Sequence, residues 1–226
     1  MNGYRQSCII FLGVLLLYAA AVPAESSPQA DLGSHFWDVR DFGAVGDEKT
    51  DDTAAFQKAL NAAGEAGGGV VYASRGSYFF AGHLNIPKAV ALVGLWQSVP
   101  AHNGIRDRGS GKPTDDGTTF LVTEGAGNEE DTAFITLNTN STLKGVVIYY
   151  PQQNVDDVPK PYPWAIAMRG KNPAVLAVEM LNPYNGIDAT QSDSEDCRGG
   201  HRWFRGLYVC PSKGTKAQRH KGRKWQ

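Results

Sequence analysis

Cysteine is scarce in this chain: three residues in 226, at Cys8, Cys197 and Cys210. No CxxC pair and no Cys/His spacing suited to zinc occurs, so the sequence encodes no structural zinc fold and no dithiol redox centre. Charge of one sign is also lacking. The net charge of −1 gives no global attraction to nucleic acid. Long apolar runs are absent too. The longest, Ile9 to Ala21, holds 13 residues, short of the ~20 that span a bilayer. Finally, after residue 65 no segment carries helical periodicity over a helical length.

The short apolar run has another reading. Arg5 supplies a positive region before it, and Val22-Pro23-Ala24 places small residues where a signal peptidase cuts. Residues 1–24 are expected to be a secretory signal removed after Ala24, which puts the mature protein outside the cell or in a periplasm, with no membrane association after cleavage. Cys8 lies too early for a lipoprotein site. Export permits a disulfide between Cys197 and Cys210; two buried thiols acting as small apolar side chains satisfy the sequence equally. Residues 25–35 form a polar linker.

The stretch "VRDFGAVGDEKTDDTAAFQKAL", Val39 to Leu60, carries five acidic residues: Asp41, Asp47, Glu48, Asp51 and Asp52. Ala55, Phe56, Ala59, Leu60 and Ala63 recur at helical spacing and form one apolar stripe. Thr50 or Asp51 is placed to cap that helix, and Asp51 and Asp52 sit where the helix dipole is positive. Gly64 and Gly67-Gly68-Gly69 stop it. A calcium loop needs oxygen ligands at alternate positions around a central glycine. "DEKTDD" has neither, and helix initiation accounts for Asp51 and Asp52. "VRDFGAV" is expected to be a short extended segment closed by Gly43.

From Gly67 onward short apolar runs alternate with Gly, Asn and Pro turns. "GGGVVYASRGSYFF" predicts two strands around Ser74-Arg75-Gly76, and "HLNIPKAVALVGLW" predicts strands at Leu84–Ile86 and Val90–Val93. A repeat lies within the later part. "LKGVVIYY" (143–150), "VLAVEML" (175–181) and "FRGLYVC" (204–210) each place a small residue, Gly145, Ala177 or Gly206, before an apolar–x–apolar triplet. Without their polar inserts the units have a period of roughly 20–25 residues, the mark of a solenoid of stacked coils. The expected fold is mainly β: a right-handed, single-stranded parallel β-helix over residues 36–212, with an N-terminal capping α-helix laid over its open end.

These residues resemble the N-terminal segment of the pectate lyase-like superfamily. The shared pattern is D-F-G-A-x-G-D-x-x-T-D-D-T-x-A-F-Q-x-A, then G-G-x-V and G-x-Y, with departures at Glu48 and at Ala73-Ser74. The resemblance covers about 60 residues and is more specific for fold than for reaction. It implies a secreted protein acting on polysaccharide, acidic polymers included, as glycoside hydrolase, lyase or epimerase. The alternative is a non-catalytic carbohydrate-binding or surface-structural β-helix. No cofactor is expected beyond Ca²⁺, which lyase members use and which the acidic pairs Asp115-Asp116, Glu129-Glu130-Asp131 and Asp156-Asp157 admit.

No catalytic residue can be assigned, because the Asn-Thr-Asp, Asp-Asp, Gly-His-Gly and Arg-Ile-Lys motifs of polygalacturonases are missing. Trp164, Tyr162 and Tyr184 offer aromatic surfaces for sugar stacking. Asp188, with Asp193, Asp196 and His201, echoes a catalytic motif inside a polar insert. The residues put forward for substrate binding are Trp164, Tyr184 and Asp188. Past Cys210 the repeat is lost. Residues 213–226 form a basic tail with six Lys/Arg and no acid, which leaves −7 on the rest of the chain. A C-terminally truncated β-helix and a basic segment that binds polyanions both fit that ending.

Overall fold

The computed structural model describes residues 35–98, 116–153 and 157–193. The signal segment, the linker up to residue 34, Cys197, Cys210, the 204–210 repeat unit and the basic tail lie outside the described residues.

Fourteen strands and one helix follow in chain order: β1 Phe36–Asp38, β2 Asp47–Asp51, α1 Thr53–Glu65, β3 Gly69–Tyr72, β4 Gly76–Phe80, β5 Leu84–Ile86, β6 Val90–Val93, β7 Thr118–Val122, β8 Ile135–Leu137, β9 Thr142–Lys144, β10 Val147–Tyr149, β11 Trp164–Lys171, β12 Ala174–Leu176, β13 Glu179–Leu181 and β14 Asn185–Asp193. They build three sheets. Sheet A runs β1-β3-β6-β9-β12, sheet B β2-β4-β7-β10-β13, and sheet C β5-β8-β11-β14. Every pairing is parallel. Three consecutive strands visit A, B and C in turn and then begin again one layer on, which is a parallel β-helix.

Period-2 alternation explains why these short strands pair as they do. In sheet A, Val71, Leu92, Leu143 and Val175 stand in register. In sheet B the ladder is Tyr78, Phe120, Ile148 and Met180, and in sheet C Leu84, Ile135, Ile166 and Ile187. The central members are fully buried. One-residue slippage would turn each ladder to solvent, so burial itself fixes the register.

The first winding differs. It contributes β1 to sheet A and β2 to sheet B, but between β2 and β3, where a sheet C strand would fall, the chain forms α1. The helix packs on β1, β3, β5 and β6, with Ala55, Phe56, Ala59, Leu60 and Ala63 buried. Phe56 lies edge-on to Tyr78, Phe80 and Phe120, at centroid distances of 4.9, 5.0 and 5.5 Å. Such edge-to-face contacts add about 0.5–1.5 kcal/mol each beyond area burial.

The two repeat units within the described residues, 143–150 and 175–181, each straddle a corner, with the small residue at the bend. Lys144 pairs with Leu176 and Val147 with Glu179, so Gly145 and Ala177 occupy the same sheet A to sheet B turn, with φ of 70° and 48°. "VLAVEML" is therefore two strands. "VRDF" is a 3-10 turn, Val39–Phe42, rather than an extended segment, because the Asp38 carboxylate accepts the Arg40 N–H and bends the chain at its start.

The acidic stretch also divides. Asp51 serves the helix start, accepting the Thr53 N–H at 3.0 Å. Asp52 is the N-cap residue by position, but its side chain makes no capping hydrogen bond. Its buried carboxylate accepts the N–H groups of Val45 at 2.6 Å and Gly46 at 3.1 Å, clasping the preceding loop. Asp47–Asp51 itself is the edge strand of sheet B.

Candidate functional site

Two of the three residues put forward from the sequence, Trp164 and Asp188, lie on the last two described strands of sheet C, and Tyr184 lies just before the second of them. Trp164 opens β11 and Asn185 opens β14, and the two are register partners. Tyr184 immediately precedes Asn185. Trp164 and Tyr184 therefore lie at one corner of neighbouring windings, both half-buried. Asp188 stands three residues along β14, about 10 Å at strand rise, opposite Ala167. By strand alternation Ala167 and Asp188 fall on the outer side, while Trp164 shares the parity of the interior Ile166. The structure thus joins Trp164 with Tyr184 and sets Asp188 apart from them.

Tyr184 packs partly against the core. Burial raises its hydroxyl pKa, and the negative charge of Glu129, to which it is hydrogen-bonded, raises it further. Tyr162 is not a stacking surface: it is fully buried, edge-on to Tyr150 at 4.9 Å, because the Pro-rich insert folds its ring inward. The two polar inserts that precede β8 and β11 touch each other, the Gly127 N–H donating to the Pro161 carbonyl at 2.7 Å. Asn182 takes the left-handed turn that its side chain tolerates, at φ 58°. Asn185 does not; it is a strand residue whose Nδ2 donates to the Tyr162 carbonyl at 3.0 Å.

Asp188 is the most elaborated of the three. Arg169 Nη2 donates to Oδ2 at 2.8 Å. Thr190 donates to Oδ1 through its N–H at 3.0 Å and its hydroxyl at 2.6 Å. Burial pushes the Asp188 pKa up, but the Thr190 hydroxyl, the Thr190 N–H and the Arg169 guanidinium outweigh it and hold the carboxyl below its ordinary 3.8. The arrangement rests on a register shift between Ala167 and Arg169: Ala167 pairs with Asp188, and Arg169 pairs with Gln191. The extra residue in β14 turns Thr190 back onto Asp188, as bulges re-aim side chains. Arg169 was not singled out from the sequence. A 19-residue separation across β12 and β13 carries no signal, and the bulge has no sequence mark.

Calcium is implied by lyase members of the resembling superfamily, so its fit was tested against the donors present. Among the described residues no group of three or more His, Cys, Asp or Glu side chains converges to hold a metal ion. Asp131 accepts the Thr132 N–H at 2.7 Å, and Asp116 lies 3.6 Å from Arg75. Asp115, Asp156, Asp196 and His201 lie outside the described residues, as does the side chain of Asp193.

A stack of parallel windings with an outward carboxylate held on its last described strand defines the class, a parallel β-helix with polar side chains displayed on its flank. The sequence profile described as rhamnogalacturonase A/epimerase, pectate lyase-like matches residues 36–167, and the chain belongs to that family. Alginate lyase 7 of Azotobacter vinelandii is 56% identical over 46 residues, covering 20% of this chain and 5% of that protein. Mannuronan C5-epimerase AlgE1 of the same organism is 54% identical over 65 residues, 26% of this chain and 5% of that protein. The solved A-module of mannuronan C-5 epimerase AlgE4, also from Azotobacter vinelandii, aligns with a TM-score of 0.49 and 21% identity, covering 70% of this chain and 41% of that one. The aligned stretch is thus a small part of the curated relatives' length.

Proposed function

We propose that the protein is secreted and acts on polysaccharide, as a glycoside hydrolase, lyase or epimerase, with Trp164, Tyr184 and Asp188 contributing to the sugar-binding surface. The observation that carries this reading is the family match across residues 36–167. The relatives named for action on alginate and mannuronan favour an acidic polymer as substrate. Nucleic acid is not a partner on this reading, since net charge is −1.

One observation supports the second reading, a β-helix that binds polysaccharide without turnover. Among the described residues, the hydrogen-bond partners of Asp188 are the donors Thr190 and Arg169. A carboxylate held ionised in this way accepts hydrogen bonds from sugar hydroxyls and does not deliver a proton.

Incubation with polymannuronate, polygalacturonate and neutral glucans tests both readings. Unsaturated-product absorbance reports lyase action, reducing-sugar release reports hydrolysis, and a change in the uronate proton spectrum reports epimerisation. Retention on one polymer without any of these supports the binding reading. Neither retention nor turnover on any polymer overturns both.

A further inference from the structure

We propose that Arg169 is a positioning residue for Asp188, fixing an ionised carboxylate on the outer side of sheet C for contact with polysaccharide; this deepens the reading above and rests on it.

Three observations carry the inference. First, Arg169 and Asp188 come from different windings, β11 and β14, so the 2.8 Å contact between them spans adjacent layers and is set by their stacking. Second, the contact sits at the register shift of this strand pair. A regular ladder would place the residue after Met168 level with Thr190. The extra residue moves Arg169 level with Gln191, so its guanidinium reaches back to Asp188 while Thr190 closes the other oxygen. Third, the exposures are unequal. The Arg169 side chain is 29% exposed and that of Asp188 10%, so the cation screens the carboxylate and leaves only a narrow approach. Arg169 Nη1 also donates to the Met168 carbonyl at 3.0 Å, which anchors the guanidinium to its own strand.

The chemical consequence is directional. With Oδ1 taken by two donors from Thr190 and one side of Oδ2 by Arg169, one lone-pair site remains, on Oδ2. A sugar hydroxyl is the donor class that suits it; a sugar carboxylate is repelled by Asp188 and would be met by Arg169 alone. Among the described side chains, the charged group facing Asp188 from β11 is Arg169, and β14 contributes the uncharged Thr190.

The test uses the full chain with Arg169→Met, Arg169→Lys and Asp188→Asn. Polymannuronate binding is measured from pH 4 to pH 8, and the Asp188 carboxyl is followed by carbon NMR in the ligand-free chain. In the parent, burial pushes the Asp188 carboxyl up but Thr190 and Arg169 outweigh it, so its midpoint is expected below the ordinary carboxylate value. Arg169→Met is expected to raise the midpoint, to weaken binding roughly tenfold and to move the acid limb of binding upward in parallel. Arg169→Lys is expected to recover part of both. An unchanged midpoint in Arg169→Met overturns the inference whatever the polymer does. Asp188→Asn that weakens binding beside an Arg169→Met that does not also overturns it, and leaves the proposed function standing. Asp188→Asn with parent affinity removes Asp188 from the binding surface and overturns the inference with it, without touching the family-level reading.

Discussion

The side-chain amide of Gln57 pairs with the backbone of Asn85 as a strand would: Nε2 donates to the Asn85 carbonyl at 3.0 Å, and Oε1 accepts the Asn85 N–H at 2.9 Å. Asn85 is the middle residue of β5, the first strand of sheet C. On that side no strand precedes it, because α1 takes the place of a strand in the first winding. One glutamine on the helix therefore satisfies the edge that the helix creates, at the point where an unpaired edge invites another chain.

Replacing Gln57 by Ala removes both bonds while leaving the buried stripe intact. A hydrogen bond of this kind contributes about 0.5–1.5 kcal/mol net, so a loss of about 1–2 kcal/mol is expected in chemical denaturation. The freed edge is expected to increase self-association, measured by light scattering across a concentration series. Unchanged stability together with a sharp monomer would show that the pairing does not protect this edge.

Phe56→Ala tests the helix as the cap of the first winding. Phe56 is fully buried and touches rings from two successive windings. Truncation of a buried phenylalanine costs about 3–5 kcal/mol. Loss of that order, read by denaturant titration, ties the helix to the core. A loss under about 1 kcal/mol would mean the helix and barrel are weakly coupled, since neutral surface changes fall in that range.

Asp52 gives a pH signature. Burial raises its pKa above 3.8, and the N–H groups of Val45 and Gly46 only partly offset this. A group raised on folding contributes stability that is fully present below its unfolded value and is lost as pH rises through its folded value. The Tm difference between parent and Asp52→Asn is therefore expected to shrink as pH rises from below 3.8 toward neutrality. A difference that grows with pH over the same range would contradict the assignment of burial as the dominant influence.

The corner between sheets A and B supplies opposite-signed predictions. Ala177 holds φ of 48° at the position where Gly145 holds 70°. A left-handed conformation costs an L-residue about 1–2 kcal/mol, so Ala177→Gly is expected to raise stability by up to about 1 kcal/mol once glycine's greater unfolded freedom is deducted. Gly145→Ala is expected to lower it, because a Cβ there would stand 2.5 Å from the Trp96 carbonyl oxygen and 2.9 Å from that of Gly94. Thermal melts of the two variants decide the matter.

Much of the barrel was legible because its signals are local. The helix stripe from Ala55 to Ala63, the strands Leu84–Ile86 and Val90–Val93, and the small residues at Gly145 and Ala177 each announce themselves within a few positions. The turn at Val39–Phe42 and the edge strand at Asp47–Asp51 did not, since a carboxylate–N–H contact and a pairing with β4 decide them. The candidate site was less legible still. Trp164, Tyr184 and Asp188 were named by residue type, but the partners that define Asp188 arrive from another winding through a bulge. Tyr162 reads like its aromatic neighbours, yet the insert that carries it turns its ring inward against Tyr150.

Stacking of windings in the stated register underlies every assignment above, and it can be read by cross-linking. In a background with Cys8, Cys197 and Cys210 replaced by Ser, Asn85→Cys is combined with Thr136→Cys, its register partner in the next winding. Adjacent strands lie about 4.8 Å apart, within the roughly 4.4–6.8 Å that a disulfide spans between Cα atoms. The account predicts rapid, near-complete oxidation of this pair and none for Asn85→Cys with Thr119→Cys, which lies in sheet B of the same next winding. No disulfide in the first pair, or equal oxidation of both, would contradict the coil and everything built on its flank.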